Sequence, residues 1–208
     1  MYSVWSTKTP EYSTVYHVLL RDASFWDFLS GVDKDLADRA RQQGCPCGGR
    51  LHCANYPRKP RGGCENLPES FGYRLSFCCE RDGCRKRTTP PSVRFLGRKV
   101  YLGAVVVLVA AMRQGPSPRR VRELSQLFGA DRRTIARWRI FWREHFPQIP
   151  FWKVARSRLV PKIDIADLPR ALFEAFIHHH DSREDWKRLL EFLSPITITG
   201  GLGIKGIF

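Results

Sequence analysis

All seven cysteines of this 208-residue chain lie between Cys45 and Cys84. A structural zinc ion takes four ligands at the corners of a tetrahedron, and two cysteine pairs on two tight turns can supply them. The first 25 residues lack the basic start and the apolar run of a secretory signal. Cysteines clustered in a chain without export features favour a metal site over disulfides.

Two short motifs define the expected ligand set. Cys45 and Cys47 precede two glycines that let the backbone turn, although one residue separates this pair where two are usual. Cys84 closes the second motif, and Cys79 makes a tighter turn with it than Cys78 does. We predict a structural Zn²⁺ with four ligands: Cys45, Cys47, Cys79 and Cys84. The residues that can replace one of them are Cys78, His52, Cys53 and Cys64.

Other uses of these cysteines stay open from the sequence. They can be free buried thiols, or they can hold a catalytic zinc with one open position and a carboxylate base such as Glu80 or Asp82. A redox pair is less well supported, because no βαβ pattern surrounds the first motif. Residues 45–91 contain few apolar side chains, and such a segment folds with difficulty unless a metal holds it together. This favours the structural ion.

A second pattern, from Val121 to Trp138, indicates a helix-turn-helix. Gly129 suits a left-handed turn, and Asp131 can cap the helix that follows. That helix carries an apolar stripe at spacings of three and four residues, which predicts a buried face. The stripe consists of Ile135, Trp138, Trp142 and Phe146.

Arginines occupy the opposite side of the same helix. Arg133 and Arg137 lie one turn apart, and an arginine can pair with the guanine edge in the major groove of DNA. The predicted base contacts are Arg132, Arg133, Thr134 and Arg137. The predicted phosphate contacts, which orient the protein without reading the sequence, are Arg119, Arg120, Arg122 and Arg143. An ordinary helical hairpin with a basic solvent face is the alternative.

Positive charge is concentrated on these two regions. The chain has a net charge of +15, yet the segments 1–44 and 161–208 each carry one more acidic than basic residue. Residues 45–160 contain 24 basic and 7 acidic residues. This segregation is typical of a protein that contacts a phosphate backbone.

Periodicity assigns the elements that carry these motifs. We predict a helix from Ala23 to Gln43, a strand through Tyr73, Leu75 and Phe77, an apolar helix over about 98–113, and two C-terminal helices over about 168–179 and 182–193. The fold class is mainly α with a small zinc-ribbon-like β element and a helix-turn-helix core. The expected domains are a helical segment at 1–44, the metal knuckle at 45–91, the helix-turn-helix domain at 92–150, and a helical segment with a glycine-rich tail at 151–208.

The order of these parts resembles the N-terminal DNA-binding region of insertion-sequence transposases and of proteins encoded beside them. The similarity lies in Tyr73 to Cys79, in Cys84-Arg-Lys-Arg-Thr-Thr-Pro90, and in the apolar helix and helix-turn-helix that follow. It covers about residues 45–146. Such transposases continue into a catalytic domain with three carboxylates, whereas the 62 residues after Phe146 show no strand-rich stretch that could present them.

The expected function is that of a double-stranded DNA-binding protein, an accessory or regulator of a mobile element, rather than an enzyme. No phosphate-binding glycine loop and no nucleophile elbow is present in the sequence. The expected partners are duplex DNA, a recombinase or transposase, and a second copy of the chain, with no membrane. We expect a cytoplasmic, nucleoid-associated location. The alternatives are a truncated transposase or nuclease subunit and an RNA-binding zinc ribbon.

Overall fold

Helices and two small antiparallel sheets make up the computed structural model, which describes residues 22–62, 67–95, 118, 122, 125–126, 129–159, 162–178 and 182–198. Within these ranges helical residues outnumber strand residues, in agreement with a mainly α fold. The predicted apolar helix over 98–113 lies outside the described residues.

The first helix, α1, runs over Ala23–Gln43 as predicted. It begins at Asp22, whose carboxylate accepts a hydrogen bond from the backbone N–H of Ser24 at 2.9 Å. It ends at Gly44, whose φ of +69° favours glycine. One face buries aromatic and aliphatic side chains against the body of the protein: Phe25, Trp26, Leu29 and Val32.

Five short strands follow α1 and form two sheets. Strands β1 (Leu51–Cys53), β4 (Phe77–Cys79) and β5 (Arg87–Thr88) make a three-stranded antiparallel sheet in the order β1-β4-β5. Strands β2 (Tyr56–Pro57) and β3 (Tyr73–Arg74) pair antiparallel in a second sheet. A 3₁₀ turn over Glu69–Gly72 leads into β3.

The prediction of one strand through residues 73–77 was wrong. The chain leaves the second sheet after Arg74 and enters the first at Phe77, so β3 and β4 belong to different sheets. Tyr73 is 40% exposed, whereas Arg74 and Ser76 are buried. Polar partners explain this exchange: the Arg74 guanidinium donates to the carbonyl of Pro90, and the Ser76 N–H donates to Asn55 Oδ1 at 3.0 Å. Apolar alternation alone does not reveal such partners.

The C-terminal half is helical. Helix α2 (Arg132–Ile140) continues into a π-helical turn (Phe141–His145) and a 3₁₀ turn (Phe146–Gln148). Helices α3 (Pro150–Ala155), α4 (Arg170–Phe176) and α5 (Arg183–Leu193) follow, with 3₁₀ turns at Arg156–Arg158, Ile165–Asp167 and Ser194–Thr197. Helix α3 starts at Pro150, because proline favours the first position of a helix, and it includes Lys153. None of the helices in the described ranges combines the length and apolar character needed to cross a bilayer.

One large hydrophobic core joins residues from all four predicted segments. Phe25 of α1 meets Trp186 of α5 with ring centroids 5.9 Å apart, and Trp26 meets Phe71 at the same distance. The apolar stripe of α2 and its continuation, including Trp142, is buried in this core. A second, smaller core consists of Ala37, Cys45, Leu51, Phe77 and Cys79, with Cys47, Leu75 and Cys84 packed against it.

A buried ion pair joins α1 to the turn after the sheets. Arg94 Nε donates to Asp33 Oδ2 at 2.7 Å, and both side chains are almost fully shielded, at 2% and 0% exposure. The Ser92 hydroxyl and the Val93 N–H also donate to the Asp33 carboxylate, at 2.6 and 2.7 Å. The Arg94 guanidinium reaches the carbonyls of Phe71 and Tyr73 as well. These hydrogen bonds satisfy a carboxylate that would otherwise be costly to bury.

Candidate metal centre and nucleic-acid interface

The structure brings the four predicted ligands together. The sulfurs of Cys45, Cys47, Cys79 and Cys84 all lie within 4.8 Å of one another. Cys45 Sγ is 3.7 Å from Cys84 Sγ, and Cys47 Sγ is 3.5 Å from Cys79 Sγ. Cys45 and Cys79 are buried, and the other two are half-buried. The two motifs, far apart in sequence, therefore meet at one point.

The spacing of these sulfurs fits a tetrahedral ion. Zn–S bonds of about 2.3 Å place the sulfurs of a tetrahedron roughly 3.8 Å apart. Both measured separations, 3.7 and 3.5 Å, are close to that value and far from the S–S bond of a disulfide, which is about 2.0 Å. The donor set, four thiol sulfurs, is also the one that structural zinc prefers. The residues present thus suit a metal ion.

Local sequence builds the first half of the cluster. Gly48 N–H donates to the carbonyl of Cys45 at 2.8 Å, and a φ of +81° at Gly48 makes the turn that glycine permits. Gly49 is required for a different reason, because a Cβ there would lie 2.6 Å from Cys79 Sγ and 3.4 Å from Cys47 Sγ. In the second half, Cys84 N–H donates to the carbonyl of Arg81 at 3.1 Å.

The environment lowers the pKa of one thiol in the cluster and raises the pKa of another. The backbone N–H of Gly49 and the neighbouring sulfurs lower the pKa of Cys47 to about 6. The backbone N–H of Arg81 lowers the pKa of Cys79, but burial and the sulfurs around it outweigh that effect and raise this pKa to about 12. N–H groups that point at sulfur stabilise a thiolate, which is the form that binds metal.

The alternative ligands lie elsewhere. Cys78 points to the other side of β4, where its sulfur is 3.4 Å from the carbonyl oxygen of Arg85. His52 Nε2 is 3.1 Å from Glu80 Oε2, and Cys53 is exposed. Cys64 lies outside the described residues. The tighter turn to Cys84 had favoured Cys79 over Cys78, and the position of Cys79 in the cluster agrees with it.

Hydrogen bonds fix the N-terminal end of helix α2 and the turn before it. The Asp131 carboxylate accepts from the Thr134 N–H at 2.6 Å, which caps the first turn as predicted. Gly129 has a φ of +63°, and its N–H donates to the Ser125 carbonyl at 2.9 Å. The Ser125 hydroxyl donates to the Ala130 carbonyl at 2.7 Å. The described residues thus contain the turn, whereas most of the preceding helix, and so the helix-turn-helix as a whole, lies outside them.

Guanidinium groups line the solvent side of this helix. Arg132, Arg133, Arg137 and Arg143 are exposed, while the apolar stripe behind them is buried. None of the four forms a salt bridge with another described residue. Arg137 Nη2 donates to Thr134 Oγ1 at 3.0 Å, which fixes its direction without neutralising its charge. Arg122 has helical backbone and an exposed side chain, and Arg119 and Arg120 are outside the described ranges.

Thr134, a predicted base contact, is almost buried, with 7% of the residue exposed. Its N–H donates to the Asp131 carboxylate, and its hydroxyl accepts a hydrogen bond from Arg137. We therefore assign it to positioning Arg137 and omit it from the proposed base contacts.

Sequence reasoning did not single out one group of basic residues. Arg50, His52 and Arg87 are exposed on the solvent side of the three-stranded sheet, and they share a face only because of the strand register. The basic run Arg85-Lys86-Arg87 was visible, but the partners of each residue across the sheet were not.

Comparison with protein-family profiles, with curated proteins and with solved structures found no match to this chain. The functional argument below therefore depends on the chemistry of its own residues.

Proposed function

We propose that this protein binds double-stranded DNA with sequence preference, using the solvent side of α2. One observation carries the proposal. Exposed guanidinium groups without salt bridges among the described residues project from a helix whose opposite side is fixed in an aromatic core. A rigid helix of this kind, with cations in front and apolar contact behind, has the properties of a recognition helix in the major groove.

Each arginine has a defined role in this proposal. Arg132, Arg133 and Arg137 contact base edges, where a guanidinium pairs with two acceptors of guanine. The phosphate contacts are Arg143 and Arg122, with Arg119 and Arg120 beside Arg122 in the sequence. We propose that the protein serves a mobile element as an accessory or regulator that acts beside a recombinase or transposase. The resemblance of residues 45–146 to transposase DNA-binding regions supports this context.

We also propose that Cys45, Cys47, Cys79 and Cys84 hold a structural Zn²⁺. The tetrahedral spacing of their sulfurs supports this assignment. The ion supplies cross-linking of two distant motifs, and the protein supplies the N–H groups of Gly49 and Arg81 that face the sulfurs. The cluster holds the three-stranded sheet in position beside α1 through the small core that contains Ala37.

Selection of preferred sequences from a randomised duplex pool tests the DNA proposal. We expect the wild-type protein to enrich a defined site, and Arg137→Ala to lose preference at one base pair, a cost of about 1–3 kcal/mol. Arg39→Ala is the matched control, because Arg39 is an exposed arginine on α1 that already pairs with Glu191. Equal loss of affinity for every duplex would instead make Arg137 a phosphate contact. Stronger competition by RNA than by duplex DNA, or no enriched site, would contradict the proposal.

Metal analysis tests the zinc proposal. We expect one zinc ion per chain in the purified protein, and loss of that ion in Cys79→Ser. Cys53→Ser is the control, because Cys53 is exposed and outside the cluster. Chelation should expose residues 45–91 to protease and change the circular dichroism, because a segment with so small a core depends on its metal. Unchanged proteolysis after complete metal removal would contradict a structural role.

A further inference from the structure

The three-stranded sheet has two chemically different faces. Its inner face carries Leu51, Phe77 and Cys79, which pack with Ala37 and the cysteine cluster. On the other side, His52 lies opposite Cys78, and Cys78 lies opposite Arg87 in the next strand. We refer to this solvent side as the outer sheet face, which consists of Arg50, His52, Cys78, Glu80 and Arg87.

Arg87 is held in place on this face. Its Nη1 donates to the carbonyl of Ala54 at 3.0 Å and to Ser76 Oγ at 3.3 Å. Its guanidinium carbon lies 5.6 Å from the centre of the Tyr56 ring, on which the guanidinium of Arg58 also lies, at 5.8 Å. The residue is nonetheless exposed. A guanidinium fixed by its neighbours loses little conformational freedom when it binds a further anion.

Charge on the outer sheet face is unbalanced. Arg50 and Arg87 of this face, and Lys86 next to Arg87 in the sequence, form no salt bridge with any residue that the structure describes. The one carboxylate of the face, Glu80, is already engaged, because it accepts from the Arg50 N–H at 3.1 Å and pairs with His52 at 3.1 Å. The face therefore presents the fixed Arg87 guanidinium and the Arg50 side chain, together with one internally satisfied anion.

We propose that the outer sheet face binds the phosphate backbone of duplex DNA, as a contact separate from α2, with Arg87 as its central residue. The inference rests on the proposed function, since it concerns the same duplex. The argument is charge complementarity: a preorganised guanidinium and unpaired basic neighbours match a phosphate, which a guanidinium binds with two parallel hydrogen bonds. Because the contact is to phosphate, it adds affinity for every sequence and no sequence preference.

Binding measured against salt concentration tests the contact. Affinity for the selected site and for a scrambled duplex is measured in the full-length, zinc-loaded protein. We expect Arg87→Gln to weaken both equally, by about fivefold at 0.15 M salt, and to reduce the slope of log affinity against log salt by about 0.9. Arg39→Gln is the control and leaves both quantities unchanged. Zinc content, measured alongside, shows that the variant keeps the cluster.

A second variant makes the outer sheet face more positive. Glu80→Gln removes the carboxylate of the face, and we expect it to strengthen binding to the selected and the scrambled duplex by similar factors. This gain cannot result from misfolding, so it supports the proposal independently of Arg87→Gln.

The possible failures are distinguishable. If wild-type protein binds the selected site and both variants match it, the outer sheet face is not a DNA contact, while the role of α2 stands. If Arg87→Gln weakens binding to single-stranded oligo(dT) and leaves duplex binding intact, the face binds single strands and the proposal is wrong. If the wild-type protein binds no duplex at all, the proposed function fails together with it.

Discussion

Gly49 lies between two of the four sulfurs, at a place where no side chain fits. A Cβ on this residue would approach Cys79 Sγ to 2.6 Å, a distance that real Cβ atoms essentially never show. The four-cysteine cluster therefore depends on the absence of a side chain at Gly49 as much as on the cysteines themselves. The obstacle is the sulfur of Cys79, which has little freedom to move while it stays in the cluster.

Replacement of Gly49 by alanine tests this dependence. We expect Gly49→Ala to lose most of its bound zinc and to become sensitive to protease in residues 45–91, because the added methyl separates Cys79 from the other sulfurs. Zinc per chain, measured by elemental analysis, is the readout.

Gly31→Ala is the matched control. Nothing lies within 4 Å of a Cβ at Gly31, which is in the middle of α1. There the same change should keep the zinc and stabilise the protein by about 0.5–1 kcal/mol, because alanine favours a helix over glycine. Full zinc content in Gly49→Ala would show that the cluster adjusts to the methyl group.

Individual residues were predictable where chemistry depends on spacing. The four cysteines were identified from two motifs, because a short separation in sequence limits the geometry of a turn. Thr134 could not be placed in the same way, since its burial depends on how Asp131 caps the helix. The basic residues of the outer sheet face needed the strand register, which no single motif contains.

Helix α2 depends on its cap for the direction of its arginines. The Asp131 carboxylate accepts the Thr134 N–H, and the Thr134 hydroxyl accepts from Arg137. Two hydrogen bonds, both made by Thr134, therefore link the Asp131 cap to Arg137, a proposed base contact. Hydrogen bonding to Thr134 lowers the pKa of Asp131, and the charge of Arg137 contributes to the same effect.

Removal of the cap should lower both stability and sequence preference. We expect Asp131→Ala to reduce the Tm and to blur preference at the base pair read by Arg137, while Asp131→Asn keeps most of both, because asparagine also caps helices. Thermal unfolding and duplex selection are the measurements.

The pH dependence of this effect has a fixed sign. The folded-state pKa of Asp131 is depressed, so its stabilising effect is present above the unfolded pKa and is lost as the pH falls through the folded one. The Tm difference between wild type and Asp131→Ala should accordingly shrink in acid. A difference that grows in acid would show that the carboxylate is not the stabilising form.

Elements with strong helical periodicity were predicted well. Helix α1 matches its predicted range, and α5 agrees closely with the helix predicted over about 182–193, because each combines an apolar stripe with a capping residue. The prediction of one strand through residues 73–77 was wrong, because the buried side chains there are polar and form hydrogen bonds with partners distant in sequence. The change from α-helix to π-helical turn after Ile140 also had no signal in the apolar stripe, which continues through it.

The Asp33–Arg94 pair and the hydrogen bonds around it link three distant parts of the molecule. The two residues are 61 positions apart, and the hydrogen bonds around them join α1, the turn at Ser92 and the C-terminal 3₁₀ turn, where Thr197 Oγ1 accepts from the Ser92 N–H. No sequence motif predicts a pair of this kind, because an aspartate on a helix and an arginine in a loop are usually surface residues. The four segments expected as domains thus share one large hydrophobic core.

Loss of one partner should be severe. We expect Asp33→Ala to destabilise the protein by about 3–5 kcal/mol, because it leaves the Arg94 guanidinium buried without a counter-charge. Urea denaturation measures the free energy of unfolding. Asp27→Ala is the control, since Asp27 is exposed on the same helix and its loss should change stability by less than about 0.5 kcal/mol. A loss of less than about 0.5 kcal/mol in the free energy of unfolding of Asp33→Ala would show that the pair is dispensable.

The shared core also sets the order of events during synthesis. Trp26 and Phe25 emerge from the ribosome early, but their partners include Trp186, and the core extends to Ile196. The nascent chain must therefore keep a set of aromatic side chains unburied until nearly all of the core sequence has been translated. The cysteine motifs, by contrast, are complete once Cys84 has been translated, before the C-terminal helices.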